Sequence, residues 1–180
     1  YNENNVGLPF FQGKAEFGKI YPKVIKWCSS PKKIAEKGDV LLSVRAPVGS
    51  TNIAPTKCSI GRGLAAIRPI CGVDPKFVLY LLRHIENDLS GIGTGTTFKA
   101  ITGSHLKGFS ISIPPLPEQH CIVLKIEELL TRLDACVESL KQVQNQLKRY
   151  RQSVLKSAVE GKLTSEWRKK HKDELEPADK

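Results

Sequence analysis

The feature that most constrains this chain is a long heptad repeat in its C-terminal half. Apolar residues there recur with alternating gaps of four and three over about five heptads, a length that favours a coiled-coil helix. These seam positions are Ile122, Ile126, Leu129, Leu133, Cys136, Leu140, Val143, Leu147, Tyr150 and Val154. Neither glycine nor proline interrupts them. The pattern therefore predicts one continuous helix over residues 117–161.

The ends of the predicted helix carry suitable signals. Pro117 fits the first turn, where its missing N–H costs nothing, and Glu118 places negative charge at the positive end of the helix dipole. Gly161 is a natural C-terminal stop. At 1.5 Å per residue the helix would be about 65 Å long, whereas a compact domain of this size is only about 30–40 Å across. We therefore expect the helix to extend beyond its own domain and to pair with another element.

The apolar stripe is wider at its N-terminal end, where Val123, Leu130 and Val137 lie beside the seam. A wide stripe can contact two neighbours, and a narrow one only one. The alternative is a helix packed along its own domain, which suits the first two turns but not the whole length.

Charge divides the chain at the start of this helix. Residues 1–115 contain 15 Lys/Arg against 7 Asp/Glu, a net charge of +8, while residues 116–180 contain 13 against 11, a net charge of +2. A basic surface favours a polyanionic partner, although it can also be merely a solvated surface. Nucleic acid is thus the expected partner of the first part, and protein that of the second.

The cysteines and the hydropathy indicate the compartment. Five cysteines occur without a C-x-x-C motif, at Cys28, Cys58, Cys71, Cys121 and Cys136. We expect free thiols in a reducing cytoplasm, with no disulfide and no zinc site. No apolar run approaches the roughly 20 residues that cross a bilayer, so no membrane association is expected. The chain begins at Tyr1 and lacks methionine, which suggests a piece of a longer protein.

Residues 1–115 predict a mixed α/β body, and with the long helix the fold class is α+β. Buried or alternating patterns predict strands at residues 40–44, 50–54, 64–67 and 109–113, with residues 59–63 as a loop. A helix is predicted over residues 77–85, introduced by Asp74 as cap and Pro75 as first helical residue.

Six residues of this body are candidates for DNA contact, because they place cations or hydroxyls at breaks in the predicted elements or beside aromatic rings. They are Arg45, Arg62, Thr96, Thr97, Lys99 and Lys26. Arg62 lies between two glycines and could pair bidentately with guanine or simply occupy a turn. Lys26 lies near Tyr21 and Trp27, a mixture typical of nucleic-acid surfaces, but a core Trp27 with solvated lysines is equally consistent.

The glycine-rich loop at residues 91–99 offers backbone N–H groups, hydroxyls and one cation to DNA phosphates or base edges. It lacks the phosphate-loop motif G-x-x-x-x-G-K-[ST], so a nucleotide site is not expected. We predict that Arg45, Arg62, Thr97 and Lys99 share one DNA-facing surface. No signature of a hydrolase, metalloprotease or dinucleotide enzyme occurs in the sequence, and His84, His105 and His120 are isolated.

Several motifs follow one another in a fixed order. They are Gly38-Asp39-Val40-Leu41-Leu42-Ser43-Val44-Arg45, Gly95-Thr96-Thr97-Phe98-Lys99-Ala100-Ile101, Ile113-Pro114-Pro115-Leu116-Pro117-Glu118-Gln119 and, after the long helix, Arg151-Gln152-Ser153-Val154-Leu155-Lys156-Ser157-Ala158-Val159-Glu160-Gly161-Lys162-Leu163. This ordered set resembles the specificity subunit of a type I restriction-modification system. The resemblance covers nearly the whole chain.

The resemblance implies a target recognition domain at residues 1–115 that reads half of a bipartite site in double-stranded DNA. It implies a conserved coiled-coil helix at residues 116–162 that acts as a spacer and holds methyltransferase subunits, and a polar tail at residues 163–180. The chain itself would be non-catalytic and without a cofactor. S-adenosylmethionine would belong to the methyltransferase subunits, and ATP and magnesium to a separate motor-nuclease subunit.

The chain departs from that family pattern by having one recognition domain and one helix where the family has two of each. We therefore expect half a subunit, with a recognition domain truncated at its start, and a homodimer formed through the long helix. The tail from Thr164 to Ala178 resembles the segment that leads out of the first half. Two other classes remain as alternatives: the recognition domain of a fused DNA methyltransferase or restriction enzyme, and a pure coiled-coil adaptor.

Overall fold

The computed structural model describes residues 1–92 and 100–174. They form two compact units, Tyr1–Ile126 and Glu127–Lys180. The first unit contains seven strands, three short helices and the start of a long one. The strands are β1 Leu8–Phe11, β2 Lys26–Cys28, β3 Ile34–Ala35, β4 Val40–Ser43, β5 Thr51–Ile53, β6 Cys58–Ile60 and β7 Leu64–Ile67; the helices are α1 Pro75–His84, α2 Glu86–Ile92, α3 Gly103–Lys107 and α4 Leu116–Val159. The predicted α+β class is confirmed.

The strands make two sheets, with orders β2-β1-β6-β3 and β5-β4-β7. In the first sheet β1 runs parallel to β6, with Phe10 opposite Ser59, and antiparallel to β2, with Phe10 opposite Lys26. In the second sheet β4 is central and antiparallel to both neighbours. The continuous apolar run that predicted a buried strand at residues 40–44 thus occupies a fully paired position.

Strand β4 belongs to two cores because its side chains alternate between faces. Val40 and Leu42 pack in a cluster with α1, whose buried residues include Leu79 and Leu82. Leu41 points to the opposite cluster, which contains Phe11 and other residues of the first sheet. Strand β4 therefore contributes side chains to both cores, and in the second it is joined by Leu64 of β7.

The remaining predictions for the body have mixed outcomes. The strands at residues 40–44, 50–54 and 64–67 and the helix at residues 77–85 are confirmed as β4, β5, β7 and α1. The side chain of Asp74 caps α1 by accepting hydrogen bonds from the N–H groups of Lys76 and Phe77. The predicted loop at residues 59–63 is wrong at its start, because Ser59 and Ile60 belong to β6, which pairs with β1 and β3.

The predicted strand at residues 109–113 is wrong, since the segment has no strand partner in the described part of the chain. Phe109 packs against the cluster beside α1, while Ile111 and Ile113 are exposed. The alternation of apolar residues is present, but a strand also needs an open sheet edge to supply its hydrogen bonds.

The long helix predicted over residues 117–161 is confirmed as α4, with 44 residues. Its stop is also confirmed: Gly161 has a φ of 67°, a left-handed conformation that favours glycine. Beyond it lie a 3-10 turn, Lys162–Thr164, and a short helix, α5 Ser165–Lys170, where the sequence had predicted a polar tail. Trp167 stacks on His171 in this segment, with ring centroids 4.6 Å apart.

The start of α4 is joined to the body by a buried side chain. Gln119 is fully buried, and its Nε2 donates hydrogen bonds to the carbonyl oxygens of Gly72 at 3.0 Å and Pro114 at 2.8 Å. Its Oε1 accepts a hydrogen bond of 2.8 Å from the N–H of Asp74. The first turn of α4 is therefore tied to the loop that precedes α1.

An ion pair between a buried carboxylate and an exposed guanidinium lies just before β4. Asp39 is 2% exposed and accepts two hydrogen bonds from Arg68, at 2.9 and 2.8 Å, and one of 2.9 Å from the N–H of Glu36. Burial raises the pKa of Asp39, but these hydrogen bonds and the Arg68 charge outweigh burial and hold the pKa below its ordinary value. The ionised form is thus the one that the fold favours.

This pair predicts a pH-dependent loss of stability. A carboxyl group with a lowered folded-state pKa stabilises the fold above its unfolded pKa of about 3.9, and this contribution disappears as the pH falls through the folded pKa. We expect Asp39→Asn to lower the free energy of unfolding by about 1–3 kcal/mol at pH 7, and by much less at pH 3. Urea unfolding followed by circular dichroism measures both values.

Asp88→Asn is the matched control for this experiment, because Asp88 is exposed. Its substitution should lower the free energy of unfolding by much less than Asp39→Asn does at pH 7, because an exposed carboxylate in the first turn of α2 contributes only a screened helix-dipole interaction. An equal loss for Asp39→Asn at pH 7 and pH 3 would show that packing, and not the ionised carboxylate, makes the contribution.

Candidate nucleic-acid interface

Two of the predicted DNA-contact residues, Arg45 and Arg62, lie at the same end of the second sheet. Ser43 of β4 pairs with Leu64 of β7, and the N–H of Val44 donates a 2.9 Å hydrogen bond to the carbonyl oxygen of Gly63. Arg45 and Arg62 are the residues next to this bonded pair, although the bridge partner of Arg45 itself is Ala100. Both arginines are exposed. The structure therefore brings together two cations that are 17 positions apart in sequence.

The backbone that follows the glycine-rich loop lies beside the end of β4. Ala100 forms an isolated antiparallel bridge with Arg45, and the N–H of Ile101 donates a 3.0 Å hydrogen bond to the carbonyl oxygen of Val44. Ala100 is thus beside the arginine pair. Thr96, Thr97 and Lys99 lie outside the described residues, so their contact with DNA stays a prediction.

A groove of about 490 Å³ opens next to Arg62, between the two sheets and α3. Its floor is apolar and includes Ile60, Leu64 and Ala66. The charged residues that line it, Lys33 and Arg62, are both cations. Lys33 was not among the candidates from the sequence. It comes close to Arg62 only because β3 pairs with β6. The consecutive lysines at positions 32 and 33 were its only sequence signal.

Lys26 is exposed on the outer strand of the first sheet. It lies opposite Phe10, which in turn lies opposite Ser59, so it is two strands, or about 10 Å, from β6. It is therefore at the same end of its sheet as Arg62 but not adjacent to it. Its neighbour Trp27 is half-buried and Tyr21 is exposed, which leaves both sequence interpretations of this segment open.

The other chemistry-bearing groups are scattered or structural. Within residues 1–92 and 100–174 no group of three or more His, Cys, Asp or Glu side chains is arranged to hold a metal ion. All five cysteines are free, as the sequence predicted. Burial, followed by the charges of Asp39 and Glu36, raises the pKa of the Cys58 thiol to about 11, so this thiol stays protonated. His120 contacts Asp74, with 3.3 Å between Nε2 and Oδ2.

The second candidate surface is the seam of α4. From Leu129 to Val154 all its members are exposed, by 36% at Val154 and up to 69% at Leu140 and Tyr150. Only the first two members, Ile122 and Ile126, are half-buried. Beside the seam, Leu130 and Val137 are also exposed, whereas Val123 is buried. Among the described residues, no helix is long and apolar enough to span a membrane.

Comparisons with known proteins agree on one family. A family model described as the type I restriction modification DNA specificity domain matches residues 3–149. The MjaX type I restriction enzyme specificity subunit of Methanocaldococcus jannaschii is 40% identical over 164 residues, which is 91% of this chain and 38% of that subunit. The EcoKI specificity subunit of Escherichia coli K12 is 34% identical over 116 residues, which is 63% of this chain and 25% of that subunit.

Solved structures give the same result. The crystal structure of the HsdS subunit from Thermoanaerobacter tengcongensis has a TM-score of 0.73 and 44% sequence identity, covering 87% of this chain and 38% of that one. A chain from a structural study of assembly and conformational transition of the type I R-M system has a TM-score of 0.77 and 45% identity, covering 87% and 39%. The chain thus spans about two fifths of the length of these relatives. It belongs to the family of type I restriction modification DNA specificity domains.

Proposed function

We propose that this chain reads one half of a bipartite sequence in double-stranded DNA, as part of a type I restriction-modification enzyme. The observation that supports the proposal is that Arg45 and Arg62, both exposed, lie at the same end of β4 and β7, next to the bonded residues Val44 and Gly63. They lie in the part of the chain that has the +8 net charge. The family's recognition of DNA sequence supports the same conclusion.

The arginines and Lys33 suit different parts of a DNA duplex. An arginine in the major groove can donate two parallel hydrogen bonds to O6 and N7 of a guanine, a contact that specifies the base. Contacts to phosphates position the protein without reading the sequence. Lys33, which lines the same groove as Arg62, has the compact charge suited to phosphate. Arg45 and Arg62 are our candidates for base contact, together with Thr96, Thr97 and Lys99.

Alanine substitution of Arg45, Arg62, Thr97 and Lys99 tests this assignment in the reconstituted methyltransferase complex. Loss of a base contact should weaken binding by about 1–3 kcal/mol and relax specificity at one position. Loss of a phosphate contact should weaken binding to all sequences alike. It should also reduce the slope of log affinity against log salt concentration by about one. Fluorescence anisotropy with specific and scrambled duplexes, at several salt concentrations, separates these outcomes.

Lys37→Ala is the matched control, because Lys37 is exposed and precedes β4 whereas Arg45 follows it. Its affinity should equal that of the unmodified protein. If all four test variants also bind DNA with unchanged affinity, the proposed surface is wrong.

The remaining roles follow from the same family assignment. We propose that methyltransferase subunits bind the chain at the wide part of the α4 stripe, where Leu130 and Val137 are exposed. S-adenosylmethionine would then belong to those subunits, and ATP and magnesium to a motor-nuclease subunit. The chain itself would be non-catalytic and, with its five free thiols, would reside in the cytoplasm.

A non-catalytic role predicts that the isolated chain does not bind S-adenosylmethionine. Calorimetric titration of the cofactor should give only heats of dilution, and incubation with DNA should give neither methylation nor cleavage. The isolated methyltransferase subunit is the positive control. A saturable isotherm with this chain alone would contradict the division of roles.

We also propose that two copies of the chain pair through α4. In a single copy the exposed seam would remain in water. Burying each seam side chain against a second copy would stabilise the dimer by about 1 kcal/mol or more, taking roughly 25 cal/mol per Å² of apolar area. A second copy offers the same apolar face. Antiparallel pairing about a two-fold axis near residue 138, midway between Cys136 and Leu140, is isologous and closes at a dimer.

The double substitution Leu133→Glu with Leu140→Glu tests the dimer, because it would bury four carboxylates in the paired seam. We expect a dimer for the unmodified chain and a folded monomer for the variant by light scattering at tens of micromolar. Ala135→Glu with Gln142→Glu adds the same charge to the outer face of the same turns and should remain dimeric. A monomeric unmodified chain, or a dimeric seam variant, would mean that the seam is covered in another way.

A further inference from the structure

The groove beside Arg62 combines a hydrocarbon floor with positive charge. Apart from Lys33 and Arg62, each described residue that lines it has a hydrocarbon side chain or, at Gly103, none. Among these lining residues no side chain is acidic, and none carries a hydroxyl or an amide. Such a groove attracts a polyanion through its cations and favours an apolar surface on its floor.

Small residues leave room in this groove for a ligand. Ala65 and Ala66 are consecutive in β7, where a strand more often carries β-branched or aromatic side chains. On the side of α3, a Cβ added at Gly103 would meet no atom within 4 Å. The volume of about 490 Å³ is in the range of about 300–1,000 Å³ that is usual for ligand sites. The groove is therefore large enough for a group the size of a nucleotide.

Part of the apolar lining is exposed to solvent. Ile34 follows Lys33 directly, lies on the edge strand β3 and is 42% exposed. Ala66 is exposed as well, and Val44 is half-buried. Exposed apolar side chains next to cations suit a ligand in which apolar and anionic groups alternate. A DNA strand is such a ligand, because the carbon atoms of each deoxyribose lie between two phosphates.

The shape of the groove also favours a strand over the edges of the bases. The grooves of DNA are concave and admit helices, ribbons or single side chains. The two sugar–phosphate strands are the convex ridges between those grooves. A concave protein surface therefore fits a ridge, whereas the protruding side chain of an arginine fits the DNA groove beside it.

We propose that this groove holds a sugar–phosphate strand of the duplex and selects it by its deoxyribose. Lys33 pairs with a phosphate, the sugar lies on Ile34 and Ala66, and Arg62 remains the candidate for a base beside this strand. A hydroxyl group on the sugar face that meets the floor would lose water and find no side-chain acceptor there. The proposal rests on the proposed function, because it presupposes that the body binds double-stranded DNA.

The test uses the reconstituted methyltransferase complex and a duplex with its target sequence, identified by methylome sequencing of the intact system. A single ribonucleotide or arabinonucleotide replaces each deoxynucleotide of the duplex in turn, and fluorescence anisotropy measures the affinity. The two sugars carry their hydroxyl on opposite faces of C2′, so one of them directs it at the floor whichever way the strand lies. The 2′-fluoro analogue of each sensitive nucleotide is the control, because it favours a similar sugar pucker but hydrogen-bonds poorly.

We expect sensitive sugars to be confined to one short stretch of one strand in each half-site. There, a hydroxyl on one face should lower the affinity about tenfold, which corresponds to about 1.4 kcal/mol. The fluoro analogue should lower it much less, because fluorine has no hydrogen to donate and is weakly hydrated. Hydroxyls at the other sugars should have little effect, because water still reaches them.

A serine in the groove assigns the sensitive sugar to this site. Ala66→Ser supplies a hydroxyl that can accept a hydrogen bond from the sugar, so it should reduce the ratio of deoxy to hydroxyl affinity at that sugar alone. Ala135→Ser is the matched control, because Ala135 is an exposed alanine of α4, and it should leave the ratio unchanged. Thermal unfolding reports whether each variant folds. If Ala66→Ser does not fold, Gly103→Ser replaces it, because the space beside Gly103 is open.

Three results overturn the proposal. They are the absence of any sensitive sugar, an equal loss with the fluoro analogue, which would mean that sugar pucker is read, and a ratio that the serine variant does not change. Failure of the unmodified complex to prefer its target sequence in an all-deoxy duplex is a different outcome, because it contradicts the proposed function itself.

Discussion

The central strand β4 is the constraint on which the body depends. Val40 and Leu42 face the cluster beside α1, and Leu41 faces the cluster beside the first sheet. Because side chains alternate along a strand, a slip of one residue against β7 would exchange these two sets, so the register is strongly specified. The same pairing brings Arg45 and Arg62 to one end of the two strands. The packing of the two cores thus fixes the register of β4 against β7, and this register determines where the two arginines lie.

The chain keeps its two kinds of interaction surface chemically distinct. The body offers cations around a groove, and α4 offers an exposed apolar seam. Binding through cations depends strongly on salt, because phosphate contacts release counterions, whereas burial of apolar area depends on it little. DNA affinity and self-association should therefore respond differently to ionic strength, which allows each to be studied without the other.

Sequence reasoning succeeded wherever the structural signal is local. The heptad pattern predicted α4, Gly161 predicted its stop, and Asp74 followed by Pro75 predicted the start of α1. It failed for residues 109–113 because an alternating pattern does not reveal whether a sheet edge is available. It missed the strand Cys58–Ile60 because the partners of that strand, β1 and β3, are distant in sequence.

The candidate interface was predictable in composition but not in arrangement. Arg45 and Arg62 were identified from their position at breaks in the sequence, yet their proximity requires the pairing of β4 with β7, which are not consecutive strands. Lys33 escaped notice because only the fold brings it to the groove that Arg62 lines. The ion pair between Asp39 and Arg68 escaped notice for the same reason, since 29 positions separate its members.

The choice of glutamine at position 119 has a physical logic of its own. An ionised side chain there would have to be desolvated, at a penalty of several kcal/mol, and its partners are neutral backbone groups. An apolar side chain would offer no hydrogen bond to the Asp74 N–H or to the carbonyl oxygens of Gly72 and Pro114. Each of these groups left unsatisfied in the interior costs about 1–3 kcal/mol. A neutral amide of this length has two donors and one strong acceptor, which matches the two carbonyl oxygens and the one N–H that surround it. Among neutral side chains, only glutamine and the shorter asparagine carry that set, and the helix start would have to move toward α1 for asparagine to reach the same atoms.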